Sequence, residues 1–222
     1  MCYALVPNVG LEDLNSAVCD ALLLEHAIGL LDRSVEGEYQ FVCDIVGSSK
    51  AAALSGLMVE HLGIMLVSYA VGEIESLLEK KGFCIVAKFP SEVVVEQLRM
   101  KYKCPSINVV ILKAQRADGR KLEIFVVKGG LSKAVRVHEL VNFAHVALTS
   151  QKNEEYDVYS AIRVLTGSGF TGAGGGVNEL EGVTVLYFKK THKNKFPVRV
   201  ELMVPGIRRQ LLGCHLSGNL LS

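Results

Sequence analysis

Two short stretches of the sequence, HLGIML (61–66) and KLEIFVV (121–127), decide the fold, because both return later as HVALTS (145–150) and RVELMVP (199–205). In each copy, an apolar run that begins with histidine opens the pattern, and a strand-like run that contains glutamate closes it. An internal repeat of roughly 80 residues indicates two copies of one supersecondary unit, each of which needs a partner to bury its sheet.

The segments between these stretches follow the same order in both copies. Each copy continues with a predicted helix that runs into a Gly-Phe pair, GEIESLLEKKG (72–82) and NEEYDVYSAIRVLTGSG (153–169). Apolar runs predict the remaining strands, and these are FCIVAKF (83–89), INVVILKAQ (107–115) and VTVLYFKKT (183–191). Asp118 and Gly119 predict a hairpin turn, because Asp-Gly tolerates positive φ. The segment EVVVEQLRMKY (92–102) fits either a helix or an elaborated loop.

A glycine-rich segment, GSGFTGAGGG (167–176), follows the second predicted helix. Its first six residues fit the pattern G-x-G-x-x-G of nucleotide-binding loops. That pattern is expected after a strand rather than after a helix, and no Lys-Ser/Thr ending of a phosphate-binding loop is present. We therefore predict a flexible lid or a hairpin here rather than a nucleotide site.

The ends of the chain differ from the repeat. Residues 11–34 have the pattern of an amphipathic helix, and 37–59 predict a second helix that is interrupted near Gly47. We expect an α+β fold of two β-α-β-β-β modules that form a curved mixed sheet around a cavity. The expected boundaries are an N-terminal helical extension at 1–59, a first module at 60–130, a second module at 131–206 and a C-terminal tail at 207–222.

Composition narrows the classes of partner. The 222 residues carry a formal net charge of +1 and contain 50% hydrophobic residues, so charge gives no reason to expect nucleic acid or an anionic membrane as the partner. No apolar stretch reaches the length of a transmembrane helix, and no signal peptide is recognisable. Six cysteines without a C-x-x-C pair predict reduced thiols and a cytoplasmic protein.

The faces of the four repeated strands point to chemistry. Side chains alternate along a strand, and in each of these strands a uniformly aliphatic face alternates with a face that carries one ionisable residue. These residues are His61, Glu123, His145 and Glu201. A single histidine or glutamate in a strand is usually structural or solvated. The same residue types at equivalent points of both copies favour a shared site.

The layout resembles the vicinal oxygen chelate superfamily, which includes glyoxalases, extradiol dioxygenases and fosfomycin-resistance proteins. In that family the first strand of each module supplies His or Gln and the last supplies Glu. The stretch ADGRKLEIF (117–125) is similar to the family signature D-G-x-x-(I/L)-E. The resemblance covers about residues 60–206, whereas residues 1–59 and the insertion at 90–105 depart from the minimal family pattern.

The resemblance implies one divalent metal ion, bound by His61, Glu123, His145 and Glu201. This mixed nitrogen and oxygen set suits Zn, Ni, Co, Mn or Fe(II). It implies an isomerase, epimerase or lyase of glyoxalase type that acts on a small substrate with vicinal oxygens through a metal-stabilised enediolate. Glu201 and Glu123 are the expected catalytic residues, and either could move a proton as a general base.

Two alternatives remain open. A non-haem Fe(II) dioxygenase would need only His61, His145 and Glu201, which leaves Glu123 without a role. A metal-free ligand-binding or interaction domain would need none of them. Arg199 and Lys121 stand two residues before the glutamates, hence on the same face, where each could bind a substrate carboxylate or phosphate or simply reach solvent at the cavity rim. We expect a monomer or a homodimer.

Overall fold

The computed structural model describes residues 16–47, 56–129, 143–150, 155–191 and 197–217. These residues fall into two compact units. The first unit contains residues 16–29, 61–129 and 143–144, and the second contains residues 30–47, 56–60, 145–150, 155–191 and 197–217. Among the helices described, none combines the length and the apolar character needed to cross a bilayer.

The described residues contain six helices and eight strands. The helices are α1 (Ser16–Glu36), α2 (Glu38–Val46), α3 (Val71–Lys80), α4 (Glu92–Tyr102), α5 (Glu155–Gly167) and α6 (Arg209–Leu216). The strands are β1 (Leu57–Leu66), β2 (Phe83–Pro90), β3 (Asn108–Arg116), β4 (Lys121–Lys128), β5 (His145–Ser150), β6 (Thr171–Asn178), β7 (Val183–Lys190) and β8 (Val198–Pro205).

The first unit contains a four-stranded sheet with the order β2-β3-β4-β1. Strand β1 is parallel to β4, and the other pairs are antiparallel. The predicted turn at Asp118 and Gly119 joins β3 to β4. Gly119 has φ of 86°, and the Asp118 carboxylate accepts a hydrogen bond of 3.0 Å from Arg116 Nε. Arg116 N also donates to Arg120 O at 2.9 Å, so three residues form the loop.

Helices α3 and α4 begin at side-chain caps. The carboxylate of Glu73 accepts a hydrogen bond of 2.7 Å from the backbone N–H of Ala70, and Ser91 Oγ accepts one of 3.4 Å from Val94 N. Such caps satisfy backbone donors that have no partner inside the helix. Of the two alternatives predicted for 92–102, a helix or an elaborated loop, the structure has the helix.

The second unit repeats this topology with the strand order β5-β8-β7-β6. Strand β5 is parallel to β8, and β7 is antiparallel to both β8 and β6. Each unit thus has its first strand beside its last, in parallel, and its two middle strands following in hairpin order. The α+β class and the two β-α-β-β-β modules are confirmed.

The later part of the glycine-rich segment, from Thr171 onward, is a strand. Residues Thr171–Asn178 form β6, with an irregularity in register between Gly172 and Gly175. Helix α6, which lies in the segment predicted to be a C-terminal tail, contacts this strand. The predicted lid is therefore wrong, and the predicted hairpin is correct in the sense that β6 and β7 are antiparallel neighbours.

The aliphatic faces are buried as predicted. Leu122, Ile124 and Val126 of β4 are at most 1% exposed. Their equivalents in β8, Val200, Leu202 and Val204, are also buried. A shift by one residue would move this aliphatic set to the opposite face, the one that carries Glu123 and Glu201.

Acidic side chains of α1 and α2 accept hydrogen bonds from the backbone in and just after β1. In the first unit, Asp20 of α1 is fully buried, and its Oδ2 accepts hydrogen bonds from Val67 N at 2.8 Å and Ser68 N at 2.6 Å, just after β1 ends. In the second unit, the Glu38 carboxylate at the start of α2 accepts a hydrogen bond of 2.7 Å from Val59 N. The helix predicted for 37–59 ends at Gly47, and residues 57–59 already belong to β1.

Candidate functional site

The first unit brings His61 and Glu123 together. Gly63 of β1 pairs with Glu123 of β4. Since His61 precedes Gly63 by two residues, its side chain lies on the same face as the glutamate. His61 Nε2 and Glu123 Oε2 are 3.6 Å apart.

Glu123 has a second charged neighbour that the sequence analysis missed. Lys113 of β3 is the register partner of Glu123, and its Nζ lies 3.7 Å from Glu123 Oε1. The same ammonium lies 6.0 Å from the centroid of the Phe89 ring. The glutamate thus directs one oxygen to an imidazole and the other to an ammonium. The sequence signal that could have predicted this pairing is the length of the loop between β3 and β4. Loop length sets hairpin register, and a three-residue loop places Lys113 opposite Glu123.

The second unit places His145 and Glu201 in the equivalent arrangement. Ala147 of β5 pairs with Glu201 of β8, and His145 precedes Ala147 by two residues. His145 Nε2 and Glu201 Oε2 are 3.4 Å apart. None of the four side chains is more than 14% exposed. Both units therefore carry one imidazole–carboxylate pair, at the same register and with similar burial.

The two glutamates differ in their cross-strand neighbours. Where Lys113 faces Glu123, Tyr187 of β7 is the register partner of Glu201. Tyr187 is exposed, and the backbone of Gly174 passes close to its ring. The residue pattern along a single strand does not point to this tyrosine. The first pair lies beside a cation and the second beside a neutral phenol.

The two expected substrate-binding residues stay on the predicted faces. Lys121 pairs with Gln115, and Arg199 pairs with Lys189, so each lies two residues from its glutamate along the strand. Both side chains are partly exposed, a degree of exposure that suits either contact with a ligand or a position at a rim.

The other histidines fit structural roles where they are described. His215 of α6 is buried, and its Nε2 lies 2.9 Å from Gly174 O and 3.1 Å from Tyr187 O. His26 is a partly exposed residue of α1. His138 and His192 lie outside the described residues.

The distances within the pairs suit metal ligation. At 3.4 and 3.6 Å the facing atoms are too far apart for a good hydrogen bond. Metal–ligand distances of about 2.0–2.2 Å place neighbouring ligand atoms about 2.8–3.1 Å apart at octahedral angles and about 3.3–3.6 Å apart at tetrahedral angles. Each imidazole–carboxylate pair can therefore supply two ligands to one ion without a large movement.

The repeated strand order, with histidine in the first strand and glutamate beside it in the last, decides the fold. This arrangement agrees with the β-α-β-β-β modules that the resemblance to the vicinal oxygen chelate superfamily implies. No protein-family model matches the chain, and no curated protein matches it.

Several solved structures resemble this chain at low similarity. A hypothetical protein from Bacillus halodurans C-125 has a TM-score of 0.39 and 9% identity, with 69% of this chain and 99% of that chain covered. A methylmalonyl-CoA epimerase variant from Streptomyces coelicolor has a TM-score of 0.36 and 14% identity, with 65% and 95% covered. A glyoxalase family protein from Enterococcus faecalis has a TM-score of 0.24 and 17% identity, with 64% and 95% covered. Strand order and register, rather than these distant similarities, define the fold.

Proposed function

We propose that the chain is a metal-dependent enzyme of glyoxalase type, and that His61, Glu123, His145 and Glu201 bind one divalent metal ion. The observation that best supports this is the recurrence of the same imidazole–carboxylate pair at the same register in both units. One ion with ligands from both modules would account for the presence of an imidazole and a carboxylate at the same points of each unit.

The proposed reaction is an isomerisation, epimerisation or lyase step on a small substrate with two vicinal oxygens. A bound Zn, Ni, Co, Mn or Fe(II) ion would supply Lewis acidity toward a substrate oxygen. His61, Glu123, His145 and Glu201 would hold the ion, and positions left open on it would take these oxygens.

The protein groups have separate tasks in this proposal. The Glu123 carboxylate accepts a proton from the carbon next to the substrate carbonyl and returns it to the neighbouring carbon or to the opposite face. Glu201, the more buried carboxylate, is the other candidate catalytic residue and the more firmly held ligand. Lys121 and Arg199 bind a carboxylate or phosphate of the substrate through charge-assisted hydrogen bonds.

A second candidate is a non-haem Fe(II) dioxygenase with His61, His145 and Glu201 as ligands. The contact between Lys113 and Glu123 favours it, because a glutamate held by lysine need not bind a metal. A site of two histidines and one carboxylate leaves three positions for substrate and oxygen.

Elemental analysis of the untagged protein, after exposure to each candidate ion and desalting, tests the proposal. We expect about one ion per chain. His61→Ala and His145→Ala should each lose it, because both units contribute ligands, and Glu75→Gln should keep it. Glu75 is a suitable control because its carboxylate pairs with Lys88 at 2.9 Å.

Two other results would contradict the shared site. Two ions per chain, with one lost in each histidine variant, would mean that each unit binds its own ion. No uptake of any ion would leave a metal-free ligand-binding or interaction domain as the better account.

A further inference from the structure

Lys113 is a charged residue at the proposed site to which the proposed function gives no task. Its Nζ contacts Glu123 Oε1 at 3.7 Å, while Glu123 Oε2 faces His61 Nε2 at 3.6 Å. The lysine side chain is 28% exposed, so its charge is only partly screened by water. The carboxylate is therefore shared between a group that can bind metal and a group that competes with metal.

The second unit shows that this competition is not a property of the fold. Tyr187 occupies the register position opposite Glu201 that Lys113 occupies opposite Glu123. A neutral phenol neither attracts a carboxylate as an ammonium does nor repels a nearby cation. At this one register position, therefore, an ammonium faces Glu123 and a phenol faces Glu201.

We propose that Lys113 is a positioning residue that holds the Glu123 carboxylate partly away from the metal and so makes Glu123 the weakly bound, exchangeable ligand. This inference rests on the proposed function and assigns the two glutamates different roles within it. Glu201 anchors the ion, and Glu123 moves between the ion and the lysine.

The charge balance explains why a lysine is useful there. A carboxylate that leaves a metal ion in a poorly hydrated site would otherwise be a buried charge without a counter-ion, which is costly. Lys113 supplies that counter-ion. Glu123 can then take a proton from a substrate carbon and return it, with no net change at the lysine.

Metal affinity, measured on the metal-free protein by competition with a chromophoric chelator, tests the inference with Zn²⁺ and Co²⁺. Lys113→Met should bind each ion about tenfold more tightly than the unchanged protein, equivalent to about 1.4 kcal/mol. Lys113→Arg keeps the charge and should bind as the unchanged protein does. Lys88→Met, which removes a lysine paired with Glu75 at 2.9 Å, is the matched control and should leave affinity unchanged.

The Glu123→Gln background shows whether Lys113 acts through Glu123. If it does, adding Lys113→Met to Glu123→Gln should change affinity less than about threefold, because the two effects are not additive for residues in contact. A full tenfold gain in that background would overturn the inference, since the lysine would then simply repel the ion.

The remaining outcomes separate the two proposals. Unchanged or weaker binding by Lys113→Met would overturn the role of Lys113 and leave the metal site intact. No metal binding by the unchanged protein would overturn both. Thermal unfolding of the metal-free variants checks that each is folded, which we expect because the side chain of Lys113 is partly exposed.

Discussion

Replacing Asp20 by alanine should loosen the chain where β1 ends. The carboxylate is fully buried and accepts hydrogen bonds from Val67 N and Ser68 N at 2.8 and 2.6 Å. Alanine leaves both N–H groups without this acceptor. A buried donor that loses its partner costs about 1–3 kcal/mol. Because this segment is only partly buried, water can replace part of the loss.

We therefore expect Asp20→Ala to lower the free energy of unfolding by about 2–4 kcal/mol, a large share of the roughly 5–15 kcal/mol typical of a native protein. For a chain of this size the melting temperature should fall by roughly 4–16 °C. Urea unfolding measures the free energy. Hydrogen exchange of a peptide that covers Val67 and Ser68 gives the local result, and these amides should lose protection first.

A second contact of α1 supplies the matched control. Glu25 of the same helix pairs with Lys81 at 2.7 Å, but the two side chains are 60% and 43% exposed. Exposed pairs contribute about 0–1 kcal/mol, so Glu25→Ala should be nearly neutral. Asp20→Asn keeps an oxygen acceptor and should fall between the two. If Asp20→Ala were as stable as Glu25→Ala, with unchanged exchange at Val67 and Ser68, the hydrogen bonds to Asp20 would not hold α1 to the first unit.

Two further pairs of variants test the site and the second unit. Glu201→Gln should weaken metal binding by more than about tenfold in either proposed enzyme, because a neutral amide is a poorer ligand for a hard cation. Glu123→Gln should impair proton transfer in an isomerase or lyase, but it should spare Fe(II) and oxygen-dependent turnover in a dioxygenase. A Glu123→Gln variant with full metal content and full isomerase activity would refute the role of Glu123. Gly175→Ala should destabilise the second unit by about 1–3 kcal/mol in urea unfolding, because a Cβ there would lie 2.5 Å from a backbone oxygen of β7. A Cβ at Gly176 would have no atom within 4 Å. Gly176→Ala should therefore change stability by less than about 0.5 kcal/mol. Equal stability of the two glycine variants would contradict the close packing at β6.

The sequence was sufficient for the repeat and for the faces of its strands. Alternation of side chains is a local property of an extended chain, so HLGIML (61–66) and KLEIFVV (121–127) carry their own burial pattern. The contact of each histidine with its glutamate needed the tertiary structure, which sets the first and last strands of both units side by side in the same register. The joint binding of one ion by all four residues stays a prediction.

Strand β6 and helix α6 needed the tertiary structure. The segment TGAGGGVN (171–178) has a composition that disfavours strands, yet it pairs with β7. A Cβ at Gly172 would lie 3.1 Å from the ring of His215, and one at Gly175 would lie 2.8 Å from Leu212 of the same helix. The close approach of α6 accounts for glycine at these two positions. No local sequence pattern predicts this helix.

The unequal surroundings of the two glutamates were likewise decided in three dimensions. Glu123 and Glu201 occupy equivalent points of a repeated sequence, and the chain itself distinguishes them only weakly. Cross-strand pairing sets Lys113 against one and Tyr187 against the other. The sequence determines which side chains share a face, because that depends on a period of two along one strand. The neighbour across the sheet depends on the register between strands, which the loop and the buried face fix together.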